Sequence, residues 1–138
     1  MNYLLDTNAC IALLNGTPPR VRERYEGAVG EGAQVFVPAV VAFELWYGVS
    51  KSQRPAANAQ RLGGLLLRTT IQILPFEWED ARAAGSIRAL METAGTPLSA
   101  YDYLIAGQAL ARQMTLITSN VREFRRVRGL TWEDWARL

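Results

Sequence analysis

Histidine is absent from the 138-residue chain. Its absence removes a Ser-His-Asp triad, a His-Cys thiol pair, a two-histidine zinc site and any imidazole acid or base. Cys10 is the sole cysteine, so neither an intrachain disulfide nor a cysteine-rich zinc site can form. Lys51 is the sole lysine, and no G-x-x-x-x-G-K-[ST] phosphate loop occurs, which argues against a P-loop NTPase. No apolar run reaches the roughly 18 residues of a membrane span. Met1 to Asp6 lacks the basic start and cleavage region of a secretory signal, and cytoplasm is the expected location. Any chemistry here must rest on carboxylates, hydroxyls, amides and arginines, or on something those groups hold.

What remains is an ordinary globular composition, with 49% hydrophobic and 20% charged residues. The length fits one compact domain, residues 1–138, with a core that needs no disulfide or structural metal. The net charge is +2, and every basic residue other than Lys51 is an arginine. Such a balance permits a polyanionic partner without demanding one.

Short apolar runs alternate with helical patterns. Strands are expected at Asn2–Asp6, Val35–Val37, Ile71–Leu74 and Met114–Thr118. Helices are expected after Asn8 up to Gly16, from Pro18 to Tyr25, from Pro38 through Val49, from Pro55 to Arg68, from Trp78 to Ala94 and from Ser99 to Arg112. Gly27, Gly30 and Gly32 suggest a loop. The alternation predicts an α/β fold, a parallel sheet with helices on both faces. Such sheets carry functional groups at the carboxyl ends of their strands, where Asp6 and Asn120 fall.

Three acids stand out. Asp6 ends an apolar strand, Glu44 lies within AVVAFELWYGV, and Asp102 lies within SAYDYLIAGQALA. A carboxylate removed from water is costly unless paired or coordinated, and several together raise one another's pKa. A divalent cation relieves both problems, and an all-oxygen donor set points to Mg²⁺ or Mn²⁺. Each acid also fits a plainer role. Asp6 can cap the following helix, Ser99-x-x-Asp102 has the form of a capping box, and Glu44 can point outward.

Around these acids lie groups that could complete such a site. Asn120 is either an amide ligand or the start of an Asx-turn, and Glu123 either a fourth carboxylate or part of a solvated helical face. Thr7, Asn8, Thr118 and Ser119 either orient the acids or form turns. Arg122, Arg125, Arg126 and Arg128 follow Asn120 and are the better candidates for holding phosphate. Arg20, Arg22 and Arg24 alternate with acids as on a solvated helix. Trp46 and Tyr47 could stack on bases, meet a partner or pack in the core.

With LLDTN at 4–8, FELWYGVSKS at 43–52, SAYDYLIAGQAL at 99–110 and TSNVREFRRVRGLTWEDW at 118–135, the chain resembles PIN-domain ribonucleases. Within them it is most similar to VapC-type toxins of bacterial type II toxin–antitoxin modules, over Met1 to about Trp135. The resemblance implies a PIN-like fold and a Mg²⁺- or Mn²⁺-dependent endoribonuclease whose metal ligands are Asp6, Glu44 and Asp102. Asn120 then stands where many members carry a fourth acid, and Glu123 is a candidate to compensate. It further implies a cognate VapB-like antitoxin, a homodimer with contributions from Leu45 to Val49, and translation arrest by RNA cleavage. Initiator tRNA, cut in its anticodon loop, is the favoured substrate. A DNA or flap nuclease using the same acids, and a catalytically silent binding module, are the alternative readings. A phosphohydrolase with Asp6 as nucleophile is weaker, because Asn8 replaces the second acid of the usual Asp-x-Asp pair.

Overall fold

A computed structural model describes residues 1–137. The chain opens with β1 (Asn2–Leu5), whose Leu4 and Leu5 are fully buried. α1 (Thr7–Asn15) follows, and Gly16 ends it with φ +70, a conformation that glycine adopts without penalty. α2 spans Pro19–Gly30, with proline in its first turn. Gly27 and Gly30 were expected to open a loop, but the helix runs through both. Each glycine costs only about 1 kcal/mol in a helix, and Val21 and Tyr25 dock one face of α2 into the core. The turn comes at Gly32, with φ +85.

β2 (Gln34–Pro38) keeps Pro38 as its last residue, and α3 (Ala39–Ser50) begins one position later than the sequence suggested. α4 (Pro55–Leu66) leads to β3 (Ile71–Leu74). α5 (Trp78–Thr93) and α6 (Ala100–Arg112) form a helical pair before β4 (Thr115–Ile117). The tail holds a single turn, α7 (Val121–Phe124), and a two-residue strand, β5 (Trp132–Glu133). β5 was not foreseen, because two residues carry no periodicity. Its pairing with β4 is real in backbone terms: Leu116 N donates to Thr131 O at 2.9 Å and Thr118 N to Glu133 O at 3.0 Å.

All five strands are parallel, in the order β3-β2-β1-β4-β5. Tyr3 lies between Val35 and Thr115 in the ladder, so β1 is the central strand. Val35, Val37, Leu116 and Ile117 are buried, as expected of a sheet covered on both faces. Leu45, which the resemblance placed in a dimer contact, belongs to this core with 6% exposure. Among the described residues no helix is long and apolar enough to cross a membrane.

α5 and α6 pack closely because Gly107 has no side chain. A Cβ there would stand 2.6 Å from the backbone of Ala84. At one end of the pair, fully buried Asp80 accepts hydrogen bonds from Glu77 N at 2.8 Å, Gln108 Nε2 at 3.1 Å and Arg112 Nε at 3.0 Å. Glu77 and Asp80 form a capping box at the start of α5. The Arg112 guanidinium and these N–H donors outweigh burial and hold the Asp80 carboxyl below its usual range.

This network is expected to stabilise the fold above the ordinary carboxylate range, with the contribution lost as pH falls through the depressed folded-state value. Arg112→Met strands Asp80 without its cation and should cost about 3 kcal/mol at neutral pH. Urea unfolding of both proteins across acid pH checks this, and the gap should close on acidification.

Candidate active site

The strand order reverses at β1, so the crevice between the carboxyl ends of β1 and β4 is the topological switch point of the sheet. Asp6 follows β1 directly, and its own N–H donates to Ile117 O at 3.1 Å, which pins it against β4. Its side chain caps α1, accepting from Ala9 N at 2.8 Å. The capping role anticipated for Asp6 is therefore present, and it coexists with the site rather than replacing it.

Asp6 is only 5% exposed. Desolvation raises its pKa from 3.8 to about 6, with hydrogen bonds from Thr118 and Ala9 acting against the rise and the charges of Asp102 and Glu44 adding to it. Glu44, half-buried on α3, accepts a hydrogen bond from Thr7 Oγ1 at 2.9 Å. That bond ties α3 to the residue after Asp6. Asp102 sits in the first turn of α6, where its N–H donates to Ser99 Oγ at 3.2 Å. Burial raises the Asp102 pKa, the Ser99 hydroxyl lowers it, and the charge of Glu123 raises it further.

The charges of Asp102 and Glu44 thus bear on Asp6, and the charge of Glu123 bears on Asp102. Among the described residues, no three acids close into a ready-made metal cage. Glu44 is held by the Thr7 hydroxyl. The donor set still suits a hard divalent cation, since it is all oxygen and its self-repulsion is what a cation reverses.

The other predicted residues divide into two groups. Thr118 is buried beneath Asp6 and its Oγ1 accepts from Asn120 N at 2.9 Å, so the turn here is organised by Thr118, not by an Asx-turn at Asn120. Asn120 precedes α7 without a side-chain cap. Asn8 and Ser119 are exposed on the rim of a cavity of about 140 Å³ that Thr118 and Asp134 also line. Arg122, Arg125, Arg126 and Arg128 are all exposed. Arg126 and Arg128 flank a separate groove against Ile87, Leu90 and Met91 of α5. A larger cavity of about 370 Å³ opens beside Thr7 and Glu44, walled by Ile11, Leu45, Val49 and Leu62.

Trp46 and Tyr47 are exposed, not core residues. The Thr7–Glu44 bond could not be read from the chain, because nothing in local spacing pairs positions 7 and 44. Phe43 and Tyr101 were also overlooked, although each directly precedes one of the acids. Their rings meet at 5.7 Å between centroids, inclined by 49°.

Fold and site together define a single-sheet α/β protein with an acid-lined crevice at the carboxyl edge of its strands. Residues 3–130 match the PIN domain family. The chain belongs to the PIN-domain family, and within it to the VapC group. It is 38% identical over 136 residues to the tRNA(fMet)-specific endonuclease VapC of Shigella flexneri, covering 99% of each chain. Over 135 residues it is 34% identical to the tRNA(fMet)-specific endonuclease VapC of Salmonella typhimurium strain LT2, covering 98% of each. The crystal structure of VapBC2 from Rickettsia felis, bound to a DNA fragment from its promoter, superposes with a TM-score of 0.89 at 31% identity, covering 96% of this chain and 98% of that one.

Asp6 opposes folding whenever it is ionised. Its folded-state pKa near 6 lies above the ordinary 3.8, so stability falls as pH rises through that window and is not regained above it. Asp6→Asn keeps an acceptor for Ala9 N–H and removes the charge. It should raise the unfolding free energy by about 3 kcal/mol at about pH 8, and by nothing below the ordinary carboxylate range. Denaturant titrations at two pH values measure both.

Proposed function

We propose that the chain is a divalent-metal-dependent endoribonuclease, the toxin of a VapBC-type module. The observation that carries this reading is a buried acid, Asp6, at the switch point of the sheet, followed by Thr7 whose hydroxyl holds Glu44, in a chain that matches the PIN domain family over residues 3–130. Asp6, Glu44 and Asp102 would hold Mg²⁺ or Mn²⁺, with Asn120 or Glu123 completing the set. Glu123 has the better support, because its charge already acts on Asp102. When bound, the cation supplies positive charge at the phosphate and allows water to act as nucleophile at neutral pH without histidine.

The chain's own residues do the positioning. Ala9 N–H and the Thr118 hydroxyl fix the Asp6 carboxylate, and the Thr7 hydroxyl orients Glu44. Ser99 caps α6 so that Asp102 is presented from its first turn. Exposed Arg122 and Arg125 would supply positive charge for phosphates beside the scissile one, while Arg126 and Arg128 line the separate groove against α5.

Initiator tRNA is the proposed substrate, supported by the names of the Shigella and Salmonella relatives. The cytoplasm is the proposed location, where that substrate is found. A VapB-like antitoxin is the proposed partner, and the apolar cavity opening beside Glu44 gives one of its segments a route to the site. Homodimerisation remains part of the proposal, with exposed Trp46 and Tyr47 replacing Leu45 as contributors.

Cleavage of initiator tRNA with Mn²⁺ should yield 5′-phosphate and 3′-hydroxyl ends and should stop on chelation. Cyclic phosphate ends, or equal cutting of matched single-stranded DNA, would overturn the reading. Asp6→Asn, Glu44→Gln and Asp102→Asn should each leave almost no activity in a folded protein. Thr7→Val should cost about 10–100-fold in rate, because it loosens Glu44 without removing a ligand.

A further inference from the structure

The acids would engage a phosphate only through a cation they hold, and they contain nothing that grips a base. Two aromatic rings sit next to them without a role in the reading above. Phe43 is 56% exposed and Tyr101 42% exposed, yet they touch each other across the gap between α3 and α6. Each directly precedes an acid, Phe43 before Glu44 and Tyr101 before Asp102. Successive helical residues point about 100° apart, so each ring flanks its acid instead of covering it. The same two helices that present the carboxylates therefore present the ring pair.

The geometry matches a wedge better than a closed stack. With planes inclined by 49° and both rings exposed, aromatic surface remains available to a third flat group. We propose that Phe43 and Tyr101 form the stacking site for an unpaired nucleobase beside the scissile phosphate. This rests on the nuclease reading above and deepens it: the substrate must present a base outside a duplex, because paired bases hide their faces. Single-stranded RNA is commonly held in this way, on aromatic side chains. One such stack is worth a factor of about ten or more in binding and tolerates different bases.

A second copy of the chain is the competing occupant. Trp46 and Tyr47 continue the exposed aromatic surface along α3. The Tyr47 ring, however, is attended by Lys51 Nζ at 5.0 Å, whereas the partner of Phe43 is a residue on another helix beside Asp102. The Phe43–Tyr101 pair is thus tied to the acids and not to the far end of α3.

The test uses the full-length protein, Mn²⁺ and the anticodon stem-loop of initiator tRNA. Phe43→Leu and Tyr101→Leu should each raise KM about ten-fold with little change in kcat, and Tyr101→Phe should retain the wild-type KM. A stem-loop made abasic next to the cut should lose a similar factor with the wild-type protein and nothing further with Phe43→Leu. Because both side chains are exposed, thermal melts should be unchanged. Unchanged KM in both leucine variants, or a full abasic penalty persisting in them, overturns the stacking site while leaving the nuclease reading intact. A loss explained by a shift from dimer to monomer in sedimentation also overturns it, in favour of the second copy. Failure of the wild-type protein to cut the stem-loop, with failure on intact initiator tRNA, overturns both.

Discussion

A carboxylate with 5% exposure, crowded by two others, is the constraint on which the active edge of this molecule depends. Burial and like charge both disfavour its ionised form, so the fold must hold Asp6 where it would not settle by itself. It does so with inexpensive local devices. The Ala9 N–H comes from the amino terminus of α1, where a negative charge is favoured, and the Thr118 hydroxyl comes from the end of β4. Neither cancels the effect of burial, which still leaves the carboxyl above its ordinary range.

The rest of the architecture follows from keeping those groups in register. β1 is central, so its carboxyl end cannot move without disturbing both neighbours. Asp6 N–H is bonded to Ile117 O, which ties the first acid to the strand leading to Thr118 and Asn120. Glu44 and Asp102 reach the same place from helices on different crossovers, and each needs a separate support. Glu44 has the Thr7 hydroxyl, while α6 is set by Ser99 at one end and by the Asp80–Arg112 network at the other. A buried, fully bonded carboxylate near the far end of α6 and a strained one at the crevice are thus parts of one frame. Asp80 anchors the helix that carries Asp102.

Much of this was legible from residue order. Apolar runs such as LLD and VFV announced buried parallel strands, and an acid at the end of the first strand pointed to the crevice. The glycines of α2 misled, because tertiary docking through Val21 and Tyr25 outweighs a small propensity cost. β5 escaped notice because a two-residue strand exists only by virtue of its neighbour. After β4 the sequence offered both an Asx-turn at Asn120 and a turn role for Thr118; Thr118 makes the turn, and local pattern cannot choose between two polar residues two positions apart that both favour turns.

The chain by itself determined which chemistry was available. Without histidine and with a lone cysteine, a reactive site had to be built mainly from oxygen donors, and the family blocks offered Asp6, Glu44 and Asp102 as candidates. Only the tertiary structure decided that Glu44 hangs from Thr7, that Glu123 acts on Asp102, that Leu45 turns inward, and that Phe43 meets Tyr101. The Thr7–Glu44 bond and the Phe43–Tyr101 contact join helices that are distant in sequence. Local periodicity sets which face of a helix is buried, but the pairing of two faces depends on how the whole sheet is wound.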